Sequence, residues 1–324
     1  MMTLPDFEKK QIVFIFLSLG EKISFANDNL VVKTKDDKIK LQTTCYRIFM
    51  LCIVGSFTLT TGVIQRSHKF DFPIVLMTSA LKVYDKFGSK MEGNVVLRRK
   101  QYCYTKLDLA KHIVRNKIEN QKYVLELRRK KTQEISDAIA KLKALITDID
   151  RVSDNIHDLL GIEGNAAKIY FKAHFDTIDW RGRKPRIKCD YVNSILDIGY
   201  TIAFNLIDSL LSLYGFDVYC GVLHKEFYMR KSLVCDLVEP LRPIIDQQVK
   251  KSINLKQFQE SDFLEDNHCF KLKWDCNKKY VSILLQALLE YKLEIFKYIQ
   301  AYYRAFMKDK NANEFPCFLI EGKQ

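Results

Sequence analysis

The chain has 324 residues, 48% of them hydrophobic and 28% charged. That balance excludes a disordered protein and allows a large core, with two domains expected rather than one. Lys and Arg number 52 against 39 Asp and Glu, a surplus of 13, which points to a polyanionic partner, nucleic acid ahead of an anionic membrane.

In chain order, residues 1 to about 93 read as β-rich. Gln11–Gly20 follows Lys9 and Lys10 in the manner of a signal peptide. Its apolar run is short, however, and no small-residue cleavage site follows. Asn27–Asn29 and Asp36–Asp37 are turn signals around a strand at Leu30–Lys33. The stretch Ile48–Gln65 is free of charge for 18 residues, at the lower edge of a membrane-spanning length. Its Gly55, Gly62 and four hydroxyl residues favour buried strands continuing to Phe72–Met77. Gly88 and Gly93 mark a closing loop.

From Asn94 the texture becomes helical. Between Arg98 and Lys131 stand twelve Lys/Arg and three acids, Asp108, Glu119 and Glu126. Such a run is either a solvated helical face or a phosphate-binding one, and here the two readings weigh equally. Glu134–Asp150 spaces isoleucine and leucine three to four apart, the mark of an amphipathic helix. Val192–Leu213 is apolar all round except Asp197 and Asp208, so it should be buried. Tyr280–Met307 is read as one helix with an aromatic stripe facing the core.

The nine cysteines include no C-x-x-C pair and are odd in number. This argues against a zinc ribbon or a disulfide scaffold and for a reducing, cytoplasmic setting. No phosphate-binding glycine motif occurs either.

Candidate chemistry gathers in HKEFYMRKSLVCDLVEPLRP, His224–Pro243. Asp236 and Glu239 are spaced i, i+3, so on a helix they share a face. Their apolar surroundings require each acid to be paired or held against a cation. Pro240 has no N–H to give the Asp236 carbonyl, so a helix continuing this far would kink and leave that carbonyl free. A second candidate, LLGIEGNAAKIYF (159–171), places Glu163 between Gly161 and Gly164, in what reads as the first turn of a helix. Small neighbours there would admit a phosphate backbone. Taken singly, Glu163, His224 and Asp236 also fit plain structural roles.

Four segments occur in order: LLGIEGNAAKIYF, WRGRKPRIKCDYVNSILDIGY (180–200), YGFDVYCGVLH (214–224) and SLVCDLVEPLRP (232–243). Together they resemble the signature segments of the CRISPR-associated adaptation integrase family, which inserts spacers into the repeat array. The resemblance is specific from about 94 to 246. It implies an α+β fold, with a β-rich N-terminal domain over 1–93 for dimerisation and DNA contact. A larger all-α catalytic domain would cover 94–324.

The resemblance further implies a divalent metal, Mg²⁺ or Mn²⁺, held by Glu163, His224 and Asp236, with Glu239 as a further catalytic acid. Two carboxylates and an imidazole without thiolate suit such a cation. The implied reaction is attack of a DNA 3′-hydroxyl on a phosphodiester of double-stranded repeat DNA. Arg98, Arg99, Lys168 and the basic loop residues Arg181, Arg183, Lys184 and Arg186 are the expected DNA contacts, with Asn165 in support. Arg242 is expected to pair with Asp246 or Glu239. The implied assembly is a homodimer, two dimers being bridged by a small second adaptation protein, with no membrane involved. Two alternatives remain: a metal-dependent endonuclease acting on branched or single-stranded DNA, and a non-catalytic DNA-binding scaffold.

Overall fold

The computed structural model describes residues 2–88, 93–153, 155–185, 187–224, 227–267 and 269–320. A short helix α1 (Leu4–Glu8) leads into strand β1 (Gln11–Leu17). The antiparallel sheet β2 (Lys22–Ala26), β3 (Asn29–Lys33) and β4 (Ile39–Thr44) follows. Strand β5 (Ile48–Gly55), helix α2 (Thr61–Phe70), β6 (Ile74–Met77) and β7 (Val83–Phe87) then complete a second sheet of order β1-β5-β6-β7. In it β1, β5 and β6 run parallel and β7 antiparallel.

The unbroken apolar run of β5 is what a central strand covered on both faces requires. Met50, Cys52 and Val54 face the large helical core, while Leu51 and Ile53 face a smaller cluster with Val63 of α2 and Leu30 and Val32 of β3. The charge-free stretch 48–65 is therefore only half strand. Past Gly55 the chain turns, and Thr61–Gln65 enter α2, whose Val63 is buried against that smaller cluster.

Helices dominate from residue 95: α3 (Val95–Cys103), α4 (Asp108–Glu126), α5 (Gln133–Arg151), α6 (Ile156–His174) and α7 (Tyr191–Tyr214). Next come α8 (Ser232–Val238), a 3-10 turn at Glu239–Leu241 and α9 (Arg242–Asn254). A hairpin of β8 (Phe263–Asp266) and β9 (Cys269–Leu272) interrupts the helices before α10 (Trp274–Leu289) and α11 (Lys292–Met307). The sequence reading did not foresee the hairpin, and its single helix over 280–307 is two, broken at Glu290–Tyr291.

Helix α7 is the central element. Asp190 caps its start by accepting the Asn193 N–H at 2.6 Å. Gly199 lets α9 come so close that an added Cβ would lie 2.4 Å from Ile245. It is also the one helix, among the described residues, long and apolar enough to cross a membrane, yet 83% of that window is buried inside the protein. Its Asp208 meets Lys86 of β7 at 2.7 Å and Lys231 at 2.8 Å. This buried cluster ties the strands to the segment that leads into α8, and so to the site below.

Candidate active site

Three parts of the chain meet over α4. Helix α4 turns Ile113, Val114, Ile118 and Val124 inward, and Lys117 lies on that same buried face. A lysine there needs an anion, and it finds two. Its ammonium contacts Glu163 of α6 and lies 2.6 Å from Glu239 Oε2. Asn120, nearly one turn further along α4, donates to the Pro240 carbonyl at 2.8 Å and so fixes the turn carrying Glu239. Arg242, first residue of α9, meets Glu239 Oε1 at 2.8 Å, one of the two pairings expected for it.

Burial alone would raise the Glu239 carboxyl, but Arg242 and then Lys117 outweigh it and bring its pKa down to about 2. The group is therefore charged throughout the working pH range. Glu239 Oε2 nevertheless has no aligned hydrogen bond despite its closeness to Lys117. That leaves it a buried anionic oxygen with spare acceptor capacity.

Asp236 is differently placed. Pro240 does break the helix, but the Asp236 carbonyl is not left free, because the Glu239 N–H takes it in the 3-10 turn. The Asp236 side chain is fully buried. Its Oδ2 accepts Val222 N–H at 2.6 Å and Leu223 N–H at 3.0 Å, and its Oδ1 accepts His224 N–H at 3.0 Å. Oδ1 also lies 2.7 Å from His224 Nδ1. Four donors saturate this carboxylate. Three are backbone groups in a loop with no secondary structure of its own, which explains why an acid is needed at 236.

Asp236 thus holds the proton on His224 Nδ1 and leaves the Nε2 lone pair for a ligand. Glu163, His224 and Glu239 line one cleft of about 1970 Å³, and Asp236 does not.

Glu163 sits in the middle of α6 rather than in its first turn, which Asp158 occupies. Asn155 caps that helix earlier than the glycines suggested, by accepting His157 N–H at 3.0 Å. Nothing lies within 4 Å of where a Cβ would stand on Gly161 or Gly164, so the flank of Glu163 is open. Among the described residues no three His, Cys, Asp or Glu side chains stand close enough together to hold an ion. The space between Glu163 and Glu239 is taken by the Lys117 ammonium. Two carboxylates around a buried cation, beside a histidine whose free nitrogen is an acceptor, are a donor set that fits a hard or borderline divalent metal.

The cleft wall carries guanidinium groups. Arg183 donates to Asn193 at 3.0 Å and pairs with Asp197, and its Nε is buried without a partner. The Nε atoms of Arg230 and Arg242 are orphaned in the same way. All three residues line the cleft. Guanidinium groups on the wall of a cleft favour an anion such as a phosphate there.

Arg98 lines the cleft and donates to the Gly215 carbonyl at 3.2 Å. Arg99, Lys168, Arg181 and Lys184 are exposed outside it, as is Asn165. Arg186 falls outside the described residues. The basic run 98–131 does not form one face. Lys117 points inward, Arg115 pairs with Asp150 and Arg128 with Asp176, while Arg129, Lys130 and Lys131 are exposed.

A family model for CRISPR associated protein Cas1 matches residues 14–286. This chain belongs to that family. A CRISPR-associated endonuclease Cas1 from Thermodesulfovibrio yellowstonii is 28% identical over 273 residues, covering 80% of this chain and 86% of the relative. Another from Archaeoglobus fulgidus is 26% identical over 297 residues, covering 83% and 86%. The solved CAS1 protein from Thermotoga maritima superposes with a TM-score of 0.78 at 18% identity, over 97% of this chain and 100% of that one. A casposase bound to integration product gives 0.77 at 18% identity, over 96% of each. These structures establish that the Cas1 fold, β-rich then helical, is the fold of this chain.

Behind the Cas1-family cleft lies a buried polar group that the sequence reading mentioned only as a partner for Arg242. Asp246 accepts the Tyr200 hydroxyl, and the Tyr200 ring lies 4.7 Å from the Arg242 guanidinium and 5.3 Å from that of Arg183. Burial raises Asp246 from 3.8 to about 7 in spite of those cations. A raised folded-state value gives a contribution fully present below 3.8 and lost as pH climbs to 7. Asp246→Asn should therefore gain stability on the parent across that interval and hold the gain above it. Thermal melts from pH 4 to 8 check this, and a difference independent of pH would show that the carboxyl ionises normally.

Proposed function

We propose that the chain is a CRISPR adaptation integrase that joins the 3′-hydroxyl of a short DNA duplex to a phosphodiester at the edge of the repeat. Glu163, His224 and Glu239 would hold a divalent metal, Mn²⁺ or Mg²⁺. When bound, the ion supplies Lewis-acid polarisation of the phosphoryl oxygen and charge stabilisation at the leaving 3′-oxygen. Asp236 keeps His224 in the tautomer that presents Nε2. Arg183, Arg230 and Arg242 bring positive charge to the cleft wall against the phosphate, and Arg242 also holds Glu239 in place. Positioning and charge neutralisation carry the catalysis, and no protein nucleophile is needed.

The convergence of Glu163, His224 and Glu239 on a cleft walled by the guanidinium groups of Arg183, Arg230 and Arg242 carries the reading. Double-stranded DNA is the substrate on this view. A second adaptation protein would bridge two homodimers; the solved Cas6-RT-Cas1–Cas2 complex, in which this chain matches 36% of one chain at a TM-score of 0.81, supports a partner of the Cas2 kind. The relatives' name, endonuclease, favours a second reading in which water replaces the 3′-hydroxyl and DNA is cut without joining.

One assay separates the two. The protein is incubated with a duplex carrying free 3′-hydroxyls, a supercoiled plasmid bearing the repeat, and Mn²⁺. Covalently joined, relaxed plasmid is the expected product. Nicked plasmid with no joined duplex would replace the integrase by the nuclease, and binding with neither product would remove both.

A further inference from the structure

Past α11 the chain returns over α4 as an extended segment, residues 315–320. Phe318 and Ile320 are buried while Cys317 and Leu319 are exposed, the two-residue alternation of a strand. The backbone of this segment bonds to side chains of α4. His112 Nε2 lies 3.2 Å from the Pro316 carbonyl. Asn116 grips Phe318 twice, donating to its carbonyl at 2.8 Å and accepting its N–H at 2.8 Å. Asn120 accepts the Ile320 N–H at 3.2 Å and donates to the Phe318 carbonyl at 2.8 Å.

The two repeats are in step. Four residues of helix rise about 6.0 Å, and two residues of strand advance about 6.6 Å. Positions 112, 116 and 120, one row along α4, therefore meet 316, 318 and 320 in register. The Phe318 ring adds packing against Tyr291 and Tyr298, with centres 6.0 and 5.9 Å away.

Asn120 has one more partner. Its amide also donates to the Pro240 carbonyl at 2.8 Å, in the turn that carries Glu239. The segment sets the direction of that amide. Ile320 N–H requires the oxygen on its own side, which leaves both amide hydrogens for Phe318 and Pro240. Asn120 is only 2% exposed, so water is no substitute for a lost partner. With the segment detached, Oδ1 would be a buried acceptor lacking its donor. The amide would then be free to turn that oxygen against the Pro240 carbonyl, acceptor facing acceptor.

We propose that residues 315–320 are a positioning element of the metal site: they lock the Asn120 amide, which holds the Pro240 carbonyl and so places the Glu239 carboxylate. The inference rests on the reading of Glu239 as a metal ligand. Satisfying the segment's own backbone accounts for His112 and Asn116. It does not account for the bond from Asn120 to Pro240, which joins the segment to the catalytic turn.

The test is a Mn²⁺ titration of Tm on the full-length parent and three variants. Asn120→Ala should raise the Mn²⁺ concentration at half of the Tm rise about tenfold, the scale of losing a group that orients a metal ligand. Asn116→Ala loosens the segment without touching the turn, and should move that midpoint the same way by a smaller factor. The two together should give the midpoint of Asn120→Ala alone, because both act through one amide. Phe315→Leu thins the packing on Tyr302 and Phe306 where the segment begins. It should lower Tm and keep the parent's midpoint.

Should Asn120→Ala not fold, Asn116→Ala against Phe315→Leu decides the matter. Asn116→Ala with a lowered Tm and the parent's midpoint would overturn the proposal, leaving the segment as core packing alone. Equal midpoint shifts in Asn116→Ala and Phe315→Leu would overturn it too. A parent whose Tm does not respond to Mn²⁺ removes the metal reading itself, and the positioning role falls with it.

Discussion

Glu239→Gln is expected to lower strand transfer about a thousandfold, roughly 4 kcal/mol of barrier, as removal of a group that binds the catalytic ion should. His224→Ala and Glu163→Gln belong to the same class. Asp236→Asn is expected to behave differently. The amide can accept at one atom only, so at least one of the four donors now held by the carboxylate is left without an acceptor. Each orphaned donor costs about 1–3 kcal/mol of stability. Activity should fall about tenfold to a hundredfold, the usual effect of losing the group that orients a ligating histidine.

The decisive readout is independent of turnover. The rise in Tm produced by Mn²⁺ should vanish in Glu239→Gln and persist, from a lower starting Tm, in Asp236→Asn. The reverse pattern would restore Asp236 as a ligand and reduce Glu239 to a partner of Lys117 and Arg242.

This exchange of roles shows where the sequence was legible. Periodicity located α5 and α7 to within a residue or two, because each buries one continuous apolar surface that only a helix produces. The β-rich to helical order was equally readable. The single helix expected over 280–307 failed at Glu290–Tyr291, where the chain turns between two apolar helices whose joint carries neither Gly nor Pro.

Among the site residues, the resemblance supplied Glu163, His224, Asp236 and Glu239 as a group. It could not say which of two acids spaced i, i+3 faces the cleft. That depends on the bare N–H groups of residues 222–224, which draw Asp236 inward, and loop backbone of this kind leaves no periodic trace. Lys117 was missed because it was counted within a basic run. The signal was present nonetheless, since Lys117 lies four residues after Ile113 and one before Ile118, on the face where α4 is otherwise apolar or amide. A lone ammonium on such a face requires a buried anion.

Lys117 leads to the second large effect, because its ammonium stands between the two carboxylates proposed for the metal. In the metal-free protein it keeps Glu163 and Glu239 from repelling one another, with only 6% of its side chain exposed. The buried counter-charges raise its own pKa, although burial alone would depress it. Lys117→Met should therefore lose roughly 3–5 kcal/mol in the presence of a chelator, the usual cost of breaking a buried pair from one side. In a chain of this size that is a fall in Tm on the order of 5–15 °C.

Adding Mn²⁺ should recover more stability in Lys117→Met than it adds to the parent, since no ammonium has to be displaced before the ion binds. Lys117→Met combined with Glu239→Gln should be more stable in chelator than Lys117→Met alone, because the unmatched charge has gone. Differential scanning fluorimetry of the parent, the single variant and the double variant, each with chelator and with Mn²⁺, measures all of these differences. If Lys117→Met melts with the parent in chelator, or if Mn²⁺ shifts the two equally, the ammonium does not occupy the ion's place. The cation would then bind elsewhere in the cleft, with Lys117 left as a permanent bridge between α4, α6 and the turn that carries Glu239.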